Sequence, residues 1–265
     1  GNLYVFFSGN LCPDTLKKQT MKKAFITGAN KGIGFETAKQ LLEKGFYVFI
    51  GSRRLAKGIK AVEILKSQGL HNVAAIQLDV TNQDSVQSAF EELKEQTTKL
   101  DVLINNAGIN GGSPYTALDA SIEQYINTFN TNVFGVARVI KVFVELLRNS
   151  PQPRIVNVST SVGSLTLQSD PKWPAYEYAK LAVYGASKAA LNMYTVHLAY
   201  ELRNTAFKIN AVCPGYTRTD FTDHKGGEVE EAARRIVKYA LIKQNGPTGK
   251  FFSEETNPET GVVPW

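Results

Sequence analysis

The stretch "AYEYAKLAVYGASK", residues 175–188, twice places a tyrosine four residues ahead of a lysine, as Tyr176 with Lys180 and as Tyr184 with Lys188. A free phenol, with a pKa near ~10, is a poor base at neutral pH. A lysine one helical turn away on the same face stabilises the phenolate and lowers that pKa, which makes the spacing fit for proton transfer. The same spacing also arises when an exposed tyrosine simply rests on a lysine stem. Steps of four residues drift by about 40° around a helix, so on one continuous helix the two pairs would point about 80° apart. Only one could then serve a given site. Gly185, Ala186 and Ser187 enclose the second pair and let a helix lie close to its surroundings, whereas the first follows "DPKWP", a loop or the first turn of a helix. Tyr184 and Lys188 are therefore the expected proton-transfer pair, with Trp173 and Tyr176 as candidate walls of a substrate pocket.

A second chemical feature is "TGANKGIG", residues 27–34, lying between a predicted strand and a predicted helix. In that context Gly28 permits the tight turn, Gly32 lets backbone approach a pyrophosphate, and Gly34 lets the helix pack closely. The helix N-terminus offers free N–H groups and a positive dipole to phosphates. Asn30, Lys31 and Ile33 complete this expected dinucleotide cradle. After the next predicted strand stands "GSRR", with Ser52, Arg53 and Arg54, where a chain selecting NAD generally carries a carboxylate. Guanidinium matches a 2′-phosphate in charge and geometry, so Arg53, aided by Lys31, favours NADP over NAD. Asp79, followed by Val80, is placed to accept from an adenine amino group, or is a plain loop aspartate.

The elements that must position these groups follow from periodicity. Short apolar runs, "KAFIT", "YVFIG", "VAAIQL", "DVLIN", "RIVNV", "FKINAVC" and a weaker "GKFF", alternate with helical segments such as "GFETAKQLLEKG". That alternation predicts βαβ units around a parallel sheet. One long helix is expected over "IEQYINTFNTNVFGVARVIKVFVELLRN" and another through residues 184–203. No linker, repeat or low-complexity tract interrupts the body, so residues 21–265 are expected to form one domain; residues 1–20 are expected to be a tag or leader.

Composition narrows the functional classes. The chain has 265 residues, 43% of them hydrophobic, and no apolar run of membrane-spanning length. Its two cysteines, Cys12 and Cys213, form no disulfide framework or metal-ligand cluster, so no metal is expected and a reducing cytoplasm is the expected compartment. The formal charge of +6 comes without a basic run, which argues against nucleic acid and suits a small anionic ligand.

At "NNAG", residues 105–108, the ordered motifs become specific. With "TGANKGIG", "LDV", "NVFG", "IVNVSTSVG", "YGASK" and "CPGYTRTD", they make the chain similar to the short-chain dehydrogenase/reductase family over nearly all of residues 22–265. It looks most like the carbonyl-reductase branch, whose glycine loop carries the lysine and whose tail resembles "NGPTGKFF…VPW". It departs from that branch in the short stretch between the hydroxyl motif and Tyr184. The resemblance implies a Rossmann-type doubly wound three-layer αβα sandwich with a mainly parallel sheet of about seven strands. It implies NADPH-dependent reduction of a ketone, aldehyde or quinone, or alcohol oxidation in reverse, by a monomer or homo-oligomer.

Residue by residue, the resemblance makes Tyr184, Lys188 and Asn132 catalytic, with Asn132 supporting a water-linked proton path. Counting from Asn157 to Gly163 puts the usual serine at Thr160, and a shift to Ser159 or Ser161 stays open. Asn105, Ala107 and Gly108 are expected to line the cofactor, together with Pro214, Gly215, Thr217 and Thr219 after the sixth strand. "FTDHKGGEVE", from Phe221, is the expected adjustable lid, with His224 solvated. An epimerase or dehydratase on the same fold fits poorly, because the short C-terminal region leaves no room for a nucleotide-sugar domain. A non-catalytic NADP-binding regulator is the other alternative, suggested by the missing serine.

Overall fold

The computed structural model describes residues 21–265; the expected leader, residues 1–20 with Cys12, lies outside the described residues. The apolar runs form strands β1 (Lys23–Thr27), β2 (Tyr47–Ser52), β3 (Val73–Gln77), β4 (Val102–Asn105), β5 (Arg154–Val158), β6 (Lys208–Val212) and β7 (Phe251–Phe252). Between them run helices α1 (Gly32–Glu43), α2 (Leu55–Ser67), α3 (Gln83–Gln96), α4 (Ile122–Phe129), α5 (Val136–Arg148), α6 (Leu165–Gln168), α7 (Ala182–Glu201) and α8 (Val229–Ala240). The strands pair in the order β3-β2-β1-β4-β5-β6-β7, all parallel. This is the Rossmann-type arrangement, with a sheet parallel throughout rather than mainly so.

Alternation along the strands builds the two faces. Ala24 and Ile26 of β1 join one buried cluster with Leu41 of α1, Leu65 of α2 and Ile236 of α8. Phe25, between them, joins the other with Phe90 of α3, Phe143 of α5 and Leu191 of α7. There the Phe25 and Phe143 rings meet edge to face at 4.8 Å, a favoured aromatic geometry. Because both faces are covered, the strands are apolar at nearly every position, which is why they stand out as continuous runs. The strand order reverses at β1 and β4, and ligands of such sheets bind at the carboxyl ends of the strands around that point.

The expected helix through residues 122–149 is divided. Between α4 and α5 the chain widens into a π-helical turn, Asn130–Gly135. A side chain at Gly135 would meet Val80 at 2.8 Å, so the turn lies hard against the end of the third strand's loop. The helix expected through 184–203 begins earlier, at Ala182, and stops at Glu201. Tyr176 and Lys180 lie outside it, in the turns between α6 and α7, so the two tyrosine–lysine pairs do not share one helix. Among the described residues no helix is long and apolar enough to cross a membrane.

Candidate active site

The glycine loop joins β1 to α1. Gly28 has φ +64°, and a Cβ there would lie 3.0 Å from Ala107 Cα, so the turn needs glycine both for its conformation and for contact with the loop after β4. Gly34 packs on that same loop: a Cβ would meet Asn106 Nδ2 at 2.5 Å. Asn106 donates from its side chain to Thr27 O (3.1 Å) and Gly28 O (3.2 Å), while Thr27 Oγ1 accepts from the backbone of Asn106 and Ala107 (both 3.0 Å). Sequence reasoning misses Asn106, although its neighbours in "NNAG" are among the expected cofactor residues. Lys31, the N-cap of α1, places no side-chain bond on the first turn, whose N–H groups have no intrahelical acceptor. Asn30 is half-buried in the turn, and Ile33 packs its side chain on the core, leaving only its backbone for a ligand.

At the end of β2, Ser52 is buried and donates to Arg54 O at 2.9 Å, shaping the bend that exposes Arg53 and Arg54. Arg53's backbone carbonyl accepts from Gln77 at 3.2 Å, while its guanidinium makes no ion pair among the described residues. Asp79 uses one carboxylate oxygen on Thr81, accepting from its N–H (2.9 Å) and hydroxyl (2.7 Å). Its loop role is therefore real, and only the second oxygen is left for a ligand. Val80 is a core residue whose carbonyl accepts from Arg138 at 3.2 Å. Asn105 differs from expectation in the same way: it is 2% exposed and donates to Asn157 at 2.9 Å within the sheet, so its side chain does not line the cofactor groove.

Tyr184 and Lys188 occupy the first two turns of α7. Glycine brings the helix close: a Cβ at Gly163 would meet Lys188 Cβ at 2.8 Å, and one at Gly185 would meet Val162 O at 3.2 Å. Lys188 is 4% exposed, donates to Val158 O at 2.8 Å, and its Nζ lies 5.8 Å from the centre of the Tyr184 ring. Burial lowers the Lys188 pKa to about 8, partly opposed by the Cys213 thiol nearby. Burial drives the Tyr184 phenol well above its usual range, and Cys213 acts in the same direction. The sequence predicts a tyrosine acidified by lysine; in the folded chain desolvation of the phenolate moves its pKa the other way. The phenol is therefore protonated at neutral pH. Cys213, the lone cysteine among the described residues, is buried after β6.

Three hydroxyls follow β5, and Thr160 is the most exposed of them. Ser159 is buried and donates to Asn192 at 2.6 Å. Ser161 is buried with its oxygen 4.0 Å from Cys213 Sγ. Thr160 is partly exposed and accepts from Val162 N–H at 3.3 Å, which leaves its own proton available. Asn132, fully buried in the π-helical turn, exchanges hydrogen bonds with the Ile109 backbone (2.9 and 2.8 Å) and donates to Ser187 at 3.0 Å. It thereby ties the π turn to α7 and to the loop holding Gly108, where a Cβ would lie 3.3 Å from Asn132 Oδ1 and 3.6 Å from Lys188 Nζ.

The segment after β6 closes the site. Pro214 O accepts from Arg235 at 2.8 Å, Gly215 has φ +93°, and Thr217 is buried and donates to Gly215 O at 3.0 Å. The Thr219 methyl lies 3.6 Å from where a Cβ of Gly32 would stand, bringing this segment against the glycine loop. Beside it, Asp220 pairs with Lys31 at 2.5 Å, so Lys31 has a carboxylate partner rather than standing free for phosphate. Phe221 lies 5.3 Å from the Tyr184 ring, centre to centre, a contact that the sequence does not foretell. His224 is exposed and lies 3.3 Å from Asp220. The expected lid is shorter than predicted, since Val229 already begins α8. Trp173 is buried in the turns before α7, and Tyr176 sits under Lys180.

This fold agrees with comparisons to known proteins. The family model described as short chain dehydrogenase matches residues 22–229. The chain is 33% identical to (-)-isopiperitenone reductase of Mentha piperita, over 89% of this chain and 98% of that protein. The aligned span of 312 positions exceeds this chain's length, so that relative carries segments absent here. The structure of salutaridine reductase from Papaver somniferum superposes with TM-score 0.76 at 31% identity, covering 88% of this chain and 99% of that one. NADPH-bound carbonyl reductase from chicken fatty liver superposes with TM-score 0.78 at 25% identity, covering 92% and 99%. The chain belongs to the short-chain dehydrogenase family.

Proposed function

We propose that residues 21–265 form one catalytic domain that reduces a carbonyl of a small molecule to an alcohol with NADPH. The observation that carries this reading is the Tyr184–Lys188 pair on α7, its tyrosine half-buried and its lysine buried, packed against the turn that Thr160 caps. NADPH would supply the hydride. The chain's residues fit such a group: a glycine loop at the switch point, unpaired first-turn N–H groups on α1, and the exposed Arg53 for a 2′-phosphate. That several solved relatives bind NADP or NADPH supports the same choice.

In this reading Thr160 donates its free hydroxyl proton to the substrate oxygen, fixing the carbonyl. Tyr184 then protonates the developing alkoxide, and its raised pKa keeps the donor protonated throughout the neutral range. Lys188, charged below about pH 8, would hold the cofactor's ribose and stabilise the phenolate left behind. Asn132, with its side chain committed to Ile109 and Ser187, acts by fixing these elements to one another.

The test follows NADPH absorbance over a panel of ketones, aldehydes and quinones. Turnover is expected with NADPH in preference to NADH, and Arg53→Asp should reverse or erase the preference. Tight NADPH binding with no turnover of any carbonyl would make the chain an NADP-binding regulator instead.

A further inference from the structure

We propose that Gln168, gripped by Lys180, is a positioning residue that locks the turn carrying Thr160 to the start of α7. The inference rests on the reading above for the roles of Thr160 and Tyr184. Gln168 is the last residue of α6, and its amide nitrogen donates to two backbone carbonyls, Val162 O at 3.2 Å and Ala179 O at 2.8 Å. Each belongs to a different arm of the site. Val162 lies in the hydroxyl turn: its N–H donates to Thr160 Oγ1, and its carbonyl abuts Gly185, the residue after Tyr184. Ala179 belongs to the turns that lead into α7. One carboxamide NH₂, with two protons, therefore spans both arms.

The orientation of that amide is fixed by charge. Lys180 Nζ donates to Gln168 Oε1 at 3.0 Å and to Gln168 O at 2.9 Å, while lying 3.7 Å above the Tyr176 ring. A flipped amide would set its oxygen against two carbonyls and its NH₂ against an ammonium, so only one arrangement satisfies every group. The first tyrosine–lysine pair thus serves the site at one remove, since Tyr176 holds Lys180, Lys180 orients Gln168, and Gln168 sets Thr160 relative to Tyr184. The rest of α6 is anchored independently, by Ser164 to Pro264 O (2.8 Å) and Thr166 to Trp265 O (3.0 and 3.1 Å). Removing the Gln168 amide should loosen the link between the arms while leaving the segment in place.

The experiment compares Gln168→Ala, Gln168→Glu, Lys180→Met and Lys180→Arg in the full chain, measuring kcat, carbonyl KM, NADPH affinity and thermal midpoint. Because misplacement of reacting groups by a fraction of an ångström is costly, Gln168→Ala should lower kcat about tenfold and Gln168→Glu at least as much. NADPH affinity and thermal midpoint should stay near wild type. Lys180→Met should lose part of kcat and Lys180→Arg should keep it. Unchanged kcat in Gln168→Ala, or a loss of NADPH affinity in step with kcat, would overturn the proposal. If the wild-type chain reduces no carbonyl, the functional reading fails separately. Amide hydrogen exchange over residues 160–163 and 183–186 then decides: faster exchange in Gln168→Ala supports the link, and unchanged protection refutes it.

Discussion

Tyr176 with Lys180 and Tyr184 with Lys188 have the same spacing in the chain, yet in space they are different objects. In the first, the ammonium sits 3.7 Å over the ring, on an exposed stretch of turns, and its donors are met by Gln168. In the second, the ammonium is buried, 5.8 Å from the ring centre, and donates to Val158 O. The first lysine is used up by its neighbours, whereas the second keeps donors for a ligand and has its pKa lowered by burial. Four-residue spacing puts two groups within reach; the solvent around them decides whether the result is a clasp or an acid–base pair.

The sharpest way to break this comparison is to remove each hydroxyl in turn. Tyr184→Phe should lower kcat by about 10³-fold, as expected for losing a positioned general acid, while Tyr176→Phe, which keeps its ring, should stay within about twofold. Steady-state rates with NADPH and any accepted ketone measure both, and a reversed ranking would exchange the two pairs. The proposed reaction also calls on Thr160, which caps the turn packed against α7. Thr160→Ala should therefore cost about tenfold to a hundredfold in kcat, with Thr160→Ser near wild type. Ser159→Ala and Ser161→Ala should act mainly on stability, because those side chains are buried, with Ser159 bonded to Asn192. A larger kcat loss at Ser161 would shift the hydroxyl assignment by one residue.

The pH dependence separates the two lysines next. Lys188 titrates at about 8 in the folded chain and near 10.5 when unfolded. Between those values the unfolded chain binds more protons, so stability must rise with pH; below about 8 the cost of burying the charge is present in full. Relative to Lys188→Met, wild type should gain about 2 kcal/mol between about pH 7.5 and 9.5, read from denaturant midpoints. Activity should move the opposite way, with kcat/KM for NADPH declining above about pH 8 as Lys188 loses its charge. Both trends should survive Lys180→Met; a limb that vanishes in that variant would assign it to the wrong lysine.

Much of this is legible in the sequence for physical reasons. Parallel strands covered on both faces are apolar at most positions, so six stand out and the two-residue seventh only weakly, and "TGANKGIG" and "YGASK" are local patterns whose glycines report close approach. The illegible parts depend on segments distant in the chain. Phe221 reaches Tyr184, Asp220 reaches Lys31, and Ser187 bonds Asn132, contacts that no local periodicity encodes. The direction of the tyrosine's pKa shift escapes the sequence because its sign depends on burial, a property of the packed molecule. Asn105 and Val80 follow from motif alone, and their side chains belong to the sheet and core that hold the motif in place.

The smallest effect tests the clasp itself. Tyr176→Leu removes the ring beneath Lys180 but keeps an apolar side chain of moderate size. An exposed cation–π contact is worth about 0.5–1 kcal/mol, so the denaturant midpoint should fall by no more than that, with an unchanged slope. The hydrogen bonds from Lys180 to Gln168 do not pass through the ring, so kcat should fall less than in Lys180→Met. Combining Tyr176→Leu with Lys180→Met should then cost little more than Lys180→Met alone, because both changes release the same ammonium. Additive losses would mean that Tyr176 acts on the site by its own contacts, as a pocket wall, and not through the lysine above it.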